Sequence, residues 1–128
     1  MRLLIDTQSL IWYVDKDHLL SAAALAAISD PANHLLLCAA VMWEISIKTG
    51  LGKLSLSLSY RQWMNKVIAD LELTILPITV DYADVQAGLP QHHGDPFDRL
   101  IVAQAIVEGV PIISTDSQMD AYGVTRIG

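Results

Sequence analysis

The sequence predicts an α/β fold in three layers, a small, mostly parallel sheet flanked by helices on both faces. Two observations carry that expectation. Short apolar runs, too brief to be helices, recur between segments of helical character along the whole chain. One of these runs, His34 to Cys38, is apolar without a break through Leu35, Leu36 and Leu37, as in a strand buried on both faces.

Taken in order, Leu3-Leu4-Ile5 is the first strand, and Asp6-Thr7 suits both its end and the entry to a helix. Ser9 to Val14 reads as helix, and Ser21 to Ser29, rich in Ala and Leu, as a second one closed by Asp30-Pro31. His34 to Cys38 is the second strand. Ala40 to Thr49 follows as a helix that is apolar nearly all round, through Val41, Met42, Trp43, Ile45 and Ile47. It ends at Gly50, a residue suited to the left-handed turn after a helix. Leu51 to Ser59 alternates loosely and is expected as an extended connection. Trp63, Val67 and Leu71 place one apolar stripe on a helix from Tyr60 to Leu71. Leu73 to Ile78 is a third strand, and Thr79 to Ala87 a short helix before Gly88-Leu89-Pro90. Pro96 to Glu108 is a longer helix ended by Gly109, Pro111 to Thr115 a fourth strand, and Val124 to Ile127 a weaker fifth.

No repeat and no linker rich in Pro, Gly or Ser interrupts the 128 residues, so one domain spanning residues 1–128 is expected. Charged residues make up 17% of the chain, against roughly a quarter in an ordinary soluble domain. Much of the surface is therefore apolar and is expected to be covered by a partner or a second subunit. The 8 Lys+Arg against 14 Asp+Glu give a net charge of -6, the wrong sign for a module held on nucleic acid by counterion release. An enzyme that reaches phosphate through a bound cation stays open, because the cation supplies the positive charge. The single cysteine, Cys38, lies inside the apolar run from Leu35 to Trp43 and reads as a buried spectator thiol. That run stops at Glu44, short of the roughly 20 residues a membrane helix needs. With Leu3-Leu4-Ile5 cut off by Asp6, neither a membrane span nor a secretory signal is expected, and the reading is of a cytoplasmic protein.

In a parallel sheet of this kind ligands bind beyond the carboxyl ends of the strands. Asp6 and Asp116 each follow a strand and would both be carried to that edge. Asp6 is either a helix N-cap or a carboxylate that must be paired or bind a cation, since it ends a buried apolar strand. Glu44 has Lys48 one turn on in the favourable order for a surface pair, but its apolar neighbours also allow it to point into a pocket. In His92-His93-Gly94-Asp95-Pro96-Phe97-Asp98-Arg99, Asp95 suits the N-cap and Pro96 the first helical position. Asp98 then gains from the helix dipole and can still turn outward to a metal. Asp116 reads equally as a turn or capping residue and as a functional one, with Ser114 and Thr115 placed to orient it or a water. A pair of such carboxylates about 4 Å apart repels by roughly 4 kcal/mol at an effective dielectric near 20, and a divalent cation is the natural remedy. An all-oxygen set without cysteine suits magnesium or manganese better than zinc. His92 and His93 are adjacent and badly placed to share one ion; a surface loop is the expected setting, with contact to substrate the lesser reading for one of them. Lys48, Lys53, Arg61 and Lys66 are either a phosphate-tracking rim or ordinary solvated charges, and Asp15, Asp17, Asp81, Asp84 and Asp120 read as surface or helix-start charges.

Four segments, in order and spanning nearly the whole chain, resemble the PIN-domain ribonucleases, and more narrowly the VapC-type toxins of bacterial toxin–antitoxin pairs. They are Leu3-Leu4-Ile5-Asp6-Thr7, Trp43-Glu44-Ile45-Ser46-Ile47-Lys48 with Gly52-Lys53-Leu54, Asp95-Pro96-Phe97-Asp98-Arg99-Leu100-Ile101-Val102-Ala103-Gln104-Ala105, and Ser114-Thr115-Asp116. The resemblance implies a PIN-like fold and a pocket in which Asp6, Glu44, Asp98 and Asp116 hold Mg2+ or Mn2+. It implies hydrolysis of RNA phosphodiester bonds, with one or two cations polarising the phosphate, lowering the pKa of a bound water and stabilising the leaving oxygen. Ser114 matches the hydroxyl residue that the family carries two places before its last acid. Arg99 is open to three roles: touching phosphate, bracing the acids or binding a partner. Gln8 stands where relatives often carry His. A cognate antitoxin covering the pocket and a homodimer are the partners implied. Two rival readings remain, a catalytically silent PIN-fold binding protein and a magnesium-dependent phosphatase. The phosphatase is disfavoured because Asp6-Thr7-Gln8 lacks the paired Asp-x-Asp such enzymes use.

Overall fold

The computed structural model describes residues 1–128. Its strands are β1 (Arg2–Ile5), β2 (His34–Cys38), β3 (Thr74–Leu76), β4 (Ile112–Ile113) and β5 (Arg126–Ile127). Its α-helices are α1 (Thr7–Asp15), α2 (Ala22–Ser29), α3 (Ala39–Gly50), α4 (Tyr60–Asp70), α5 (Val80–Gly88) and α6 (Pro96–Glu108). The strands form one sheet in the order β3-β2-β1-β4-β5, with every pair parallel. The α/β fold read from the sequence is therefore observed, with a wholly parallel sheet.

Leu3, Leu4 and Ile5 are all fully buried. Consecutive strand residues point to opposite faces, so both faces of β1 are covered by helices. Leu35, Leu36 and Leu37 repeat the pattern on β2, and a cluster of 28 buried residues, Cys38 among them, runs through both layers. The chain steps outward from β1 to β2 to β3 and then returns to the other side of β1, where Leu4 pairs with Ile112 and Ile5 with Ile113. This reversal opens a crevice beyond the carboxyl ends of β1 and β4. Asp6 follows β1 directly, and Asp116 follows β4 after Ser114 and Thr115.

Local chemistry explains most boundaries. Ser21, Ser59, Thr79 and Asp95 cap the helices that follow them, and Gly109, at φ 66°, closes α6 in the left-handed conformation. At the end of α3 the expectation fails by two residues. Gly50 stays helical, and Gly52, at φ 70°, makes the left-handed turn. Two short 3-10 helices, Asp17–Leu19 and Ser117–Tyr122, were not expected; neither carries the apolar periodicity that marks an α-helix.

Asp15 is not the solvated charge its sequence context implies. It accepts the Trp63 indole N–H at 3.2 Å and the Ser57 hydroxyl at 2.6 Å, and so anchors α4 to the end of α1. The helix α3, apolar nearly all round, presents Trp43 and Ile47 to solvent at successive turns, and Leu51, just past its end, continues the stripe. No helix is long and apolar enough to cross a membrane.

Candidate active site

The crevice is a cleft of about 420 Å³ in which two of the twelve lining residues are hydrophobic. Asp6, Glu44, Asp98 and Asp116 all line it, together with Asp95, Lys48 and Lys53. Four elements deliver the acids: the end of β1, the middle of α3, the first turn of α6 and the turn after β4.

For Asp6 and Asp116 the capping role and the pocket role coexist. Asp6 Oδ1 accepts the Ser9 N–H at 2.9 Å and caps α1, while Asp116 Oδ1 accepts the Gln118 N–H at 3.0 Å and caps the 3-10 helix. Asp6 keeps its second oxygen toward the cleft, whereas the second oxygen of Asp116, Oδ2, lies 2.6 Å from His93 Nε2. Asp95 accepts the N–H groups of Phe97 and Asp98 at 2.8 and 3.2 Å, so three helix starts, each closed by an aspartate, meet at one cleft.

Glu44 is 4% exposed. Its Oε1 accepts the Thr7 hydroxyl at 2.7 Å and its Oε2 accepts from Lys48 Nζ at 2.5 Å. The pair with Lys48 forms, but its acid lies inside the cleft wall rather than on the surface. The Glu44 carboxylate in turn raises the Lys48 ammonium above its ordinary range.

Burial pushes the Asp6 carboxyl up, an effect partly offset by the neighbouring Ser114 hydroxyl. Asp98 is pushed from 3.8 to about 7, first by burial, then by the charge of Asp95, with smaller contributions from Asp6 and Glu44. Both shifts come first from burial of the carboxyl, and the negative charge of neighbouring acids adds to it.

Ser114 is fully buried, and its hydroxyl accepts the Asp116 N–H at 3.0 Å. It orients the acid through the backbone. Arg99 is 8% exposed and bonds the carbonyls of Pro90, Gln86 and Leu89 at 2.9, 3.1 and 3.3 Å, so what it braces is the loop before α6 and not the acids themselves. Of the four basic residues in the possible rim, Lys48 and Lys53 line the cleft, and Lys66 pairs instead with Asp70 along α4 at 2.6 Å.

His93 departs from expectation. His92 lies exposed with its ring against Tyr122, as a loop residue should, but His93 turns inward. Its Nε2 is 2.6 Å from Asp116 Oδ2 and 3.3 Å from Asp98 Oδ2. The available signal was its position two residues before the Asp95 cap, which carries the loop to the same edge of the sheet.

These features define an α/β protein with an acidic cleft at the point where its sheet order reverses. The model of the PIN domain matches residues 3–124, and the chain belongs to that family. It is 27% identical over 120 residues to the ribonuclease VapC22 of Mycobacterium tuberculosis, covering 93% of this chain and 90% of that protein. Its fold is similar to a chain in the crystal structure of VapBC2 from Rickettsia felis bound to a promoter DNA fragment, with TM-score 0.65 at 17% identity and full coverage of both chains. A chain of VapBC-1 from nontypeable Haemophilus influenzae gives TM-score 0.67 at 16% identity, with 98% of this chain and 96% of that one covered.

Proposed function

We propose that the protein is a metal-dependent endoribonuclease, the toxin of a toxin–antitoxin pair, built as a single catalytic domain and acting in the cytoplasm. The observation that carries this reading is the meeting of Asp6, Glu44, Asp98 and Asp116 in one cleft. Membership of the PIN family and the likeness to VapC22 support it. A cognate antitoxin and a second copy of the chain are the protein partners proposed. The exposed apolar stripe of Trp43, Ile47 and Leu51 supports a covered surface.

The donor set fits a divalent cation. Burial and mutual repulsion raise Asp6 and Asp98, the condition that a bound cation relieves, and the carboxylate oxygens match magnesium or manganese. Asp6, Asp98 and Asp116 would hold the ion, with Glu44 beside them. When bound, it supplies Lewis-acid polarisation of the scissile phosphate and lowers the pKa of a water. Within the chain, Asp95 and Ser114 fix the backbone that carries Asp98 and Asp116. Lys48 and Lys53 give the cleft its positive side, where an RNA phosphate can dock. No side chain is assigned as a covalent nucleophile.

The test is cleavage of total cellular RNA by antitoxin-free protein with Mg2+ or Mn2+ and with EDTA, beside Asp6→Asn and Asp98→Asn. Asparagine still caps a helix, so Asp6→Asn loses charge while keeping α1 in place. Metal-dependent cutting that both variants lose supports the reading. A folded wild type that cuts nothing across a broad RNA panel would turn it to a silent binding module.

A further inference from the structure

We propose that His93 is a positioning residue of the acidic cleft, a hydrogen-bond donor that holds Asp116 and Asp98 in register, and that Tyr122 and Arg99 seat it. The inference rests on the reading of this cleft as a divalent-cation site.

The tautomer follows from the contacts. The Asp95 N–H donates to His93 Nδ1 at 3.0 Å, so Nδ1 carries the lone pair and the ring proton sits on Nε2. Nε2 therefore donates to Asp116 Oδ2 at 2.6 Å, with Asp98 Oδ2 at 3.3 Å. One N–H faces two carboxylates from two different elements. In this tautomer Nε2 has no lone pair to offer the cleft, so His93 acts as a donor to the acids rather than as a metal ligand.

The loop that carries His93 has no regular structure of its own, yet it is held at several points. The Tyr122 hydroxyl accepts the N–H groups of His92 and His93 at 3.2 and 2.9 Å and donates to Pro90 O at 2.9 Å. Arg99 bonds the same Pro90 carbonyl at 2.9 Å and continues to Leu89 and Gln86. A guanidinium that is 8% exposed and spent on carbonyls and the Tyr122 hydroxyl, with no carboxylate partner, costs desolvation. Fixing the path from α5 to His93 is what it accomplishes. Partners that orient metal-binding carboxylates in this way typically contribute about 10–100-fold to metal affinity.

The experiment is calorimetric titration of the full antitoxin-free chain with Mn2+, for wild type, His93→Ala, His93→Gln and Tyr122→Phe, with circular dichroism to confirm the fold. His93→Ala is expected to bind about tenfold more weakly. His93→Gln, whose amide N–H can reach Asp116, should recover most of the loss. Tyr122→Phe, which removes one hydroxyl, should fall between His93→Ala and wild type with an unchanged spectrum. Wild-type affinity in His93→Ala overturns the inference alone, as does tighter binding, which would make His93 a plug competing with the ion. A His93→Gln protein no better than His93→Ala overturns the donor role, and an undiminished Tyr122→Phe overturns the seating. Absence of Mn2+ binding in wild type would overturn the metal-site reading together with the inference.

Discussion

Thr7 Oγ1 donates to Glu44 Oε1 at 2.7 Å, tying the first residue of α1 to the middle of α3 across the wall of the cleft. Both are buried, Thr7 at 6% and Glu44 at 4% exposure. Thr7→Val keeps the shape of the side chain and removes the donor, leaving Oε1 buried without a partner. The cost is expected at about 1–3 kcal/mol, read as a melting temperature several degrees lower, and RNA cleavage should fall because Glu44 is no longer oriented. Thr7→Ser retains the donor and should behave nearly as wild type. Equal melting temperatures for Thr7→Val and wild type would show that the hydrogen bond contributes nothing.

The raised Asp98 carboxyl makes metal-free stability depend on pH in a defined direction. Its folded pKa of about 7 lies above the ordinary 3.8, so across that window the folded protein holds a proton that the unfolded chain releases. Stability therefore falls as pH rises from about 4 to about 7, and the penalty is complete above the folded value. Asp98→Asn removes it. Melts in EDTA should show the variant more stable than wild type by about 1–2 kcal/mol near pH 8, after screening at the cleft mouth, with the gap closing toward pH 4. A gap that widens on acidification would contradict the assignment.

Much of this was legible in the sequence, and the exceptions have physical reasons. Uninterrupted runs such as Leu35-Leu36-Leu37 announce strands buried on both faces, and Asp95-Pro96 announces the start of α6 to the residue. What one sequence does not encode locally is which strands are neighbours. The pairing of β1 with β4, which brings Asp6 toward Asp116, joins segments over a hundred residues apart. Asp6, Glu44, Asp98 and Asp116 were legible as types at strand ends and helix starts, and their meeting in one cleft depended on that pairing. His93 reads in the sequence as a surface-loop residue with at most a substrate contact, because adjacent histidines look like a solvated loop. Its inward turn is imposed by Tyr122 and by the Asp95 N–H, one of them remote in sequence.

Asp15 offers a test of stability away from the acidic cleft. Both of its oxygens lie 3.2 Å from Trp63 Nε1, and it also takes the Ser57 N–H at 3.1 Å and the Ser57 hydroxyl at 2.6 Å. Trp63 is 1% exposed, so its indole N–H has no water to turn to. Asp15→Ala should cost about 2–3 kcal/mol through the unpaired N–H and the released connection. In urea the midpoint should drop with little change in slope. Cleavage per folded molecule should stay at the wild-type level, since Asp15 lines no part of the acidic cleft.

The two lysines of the cleft should separate by function. Lys48 is committed to Glu44, whereas Lys53 lines the same cleft, is exposed and makes no ion pair, so its charge is free for an RNA phosphate. Lys53→Gln should raise KM for RNA several-fold with kcat little changed, because the contact is to the backbone and is present before and during reaction. For single-stranded RNA, one lost phosphate contact should also flatten the plot of log affinity against log salt by about 0.7. Manganese binding should not weaken, since a cation has been removed from beside the acids. Lys66→Gln serves as the comparison, because Lys66 pairs with Asp70 along α4 at 2.6 Å and its loss should move neither quantity. If Lys53→Gln and Lys66→Gln shift the salt dependence equally, RNA tracks the general charge of this side of the molecule and the cleft lysine has no special place in binding.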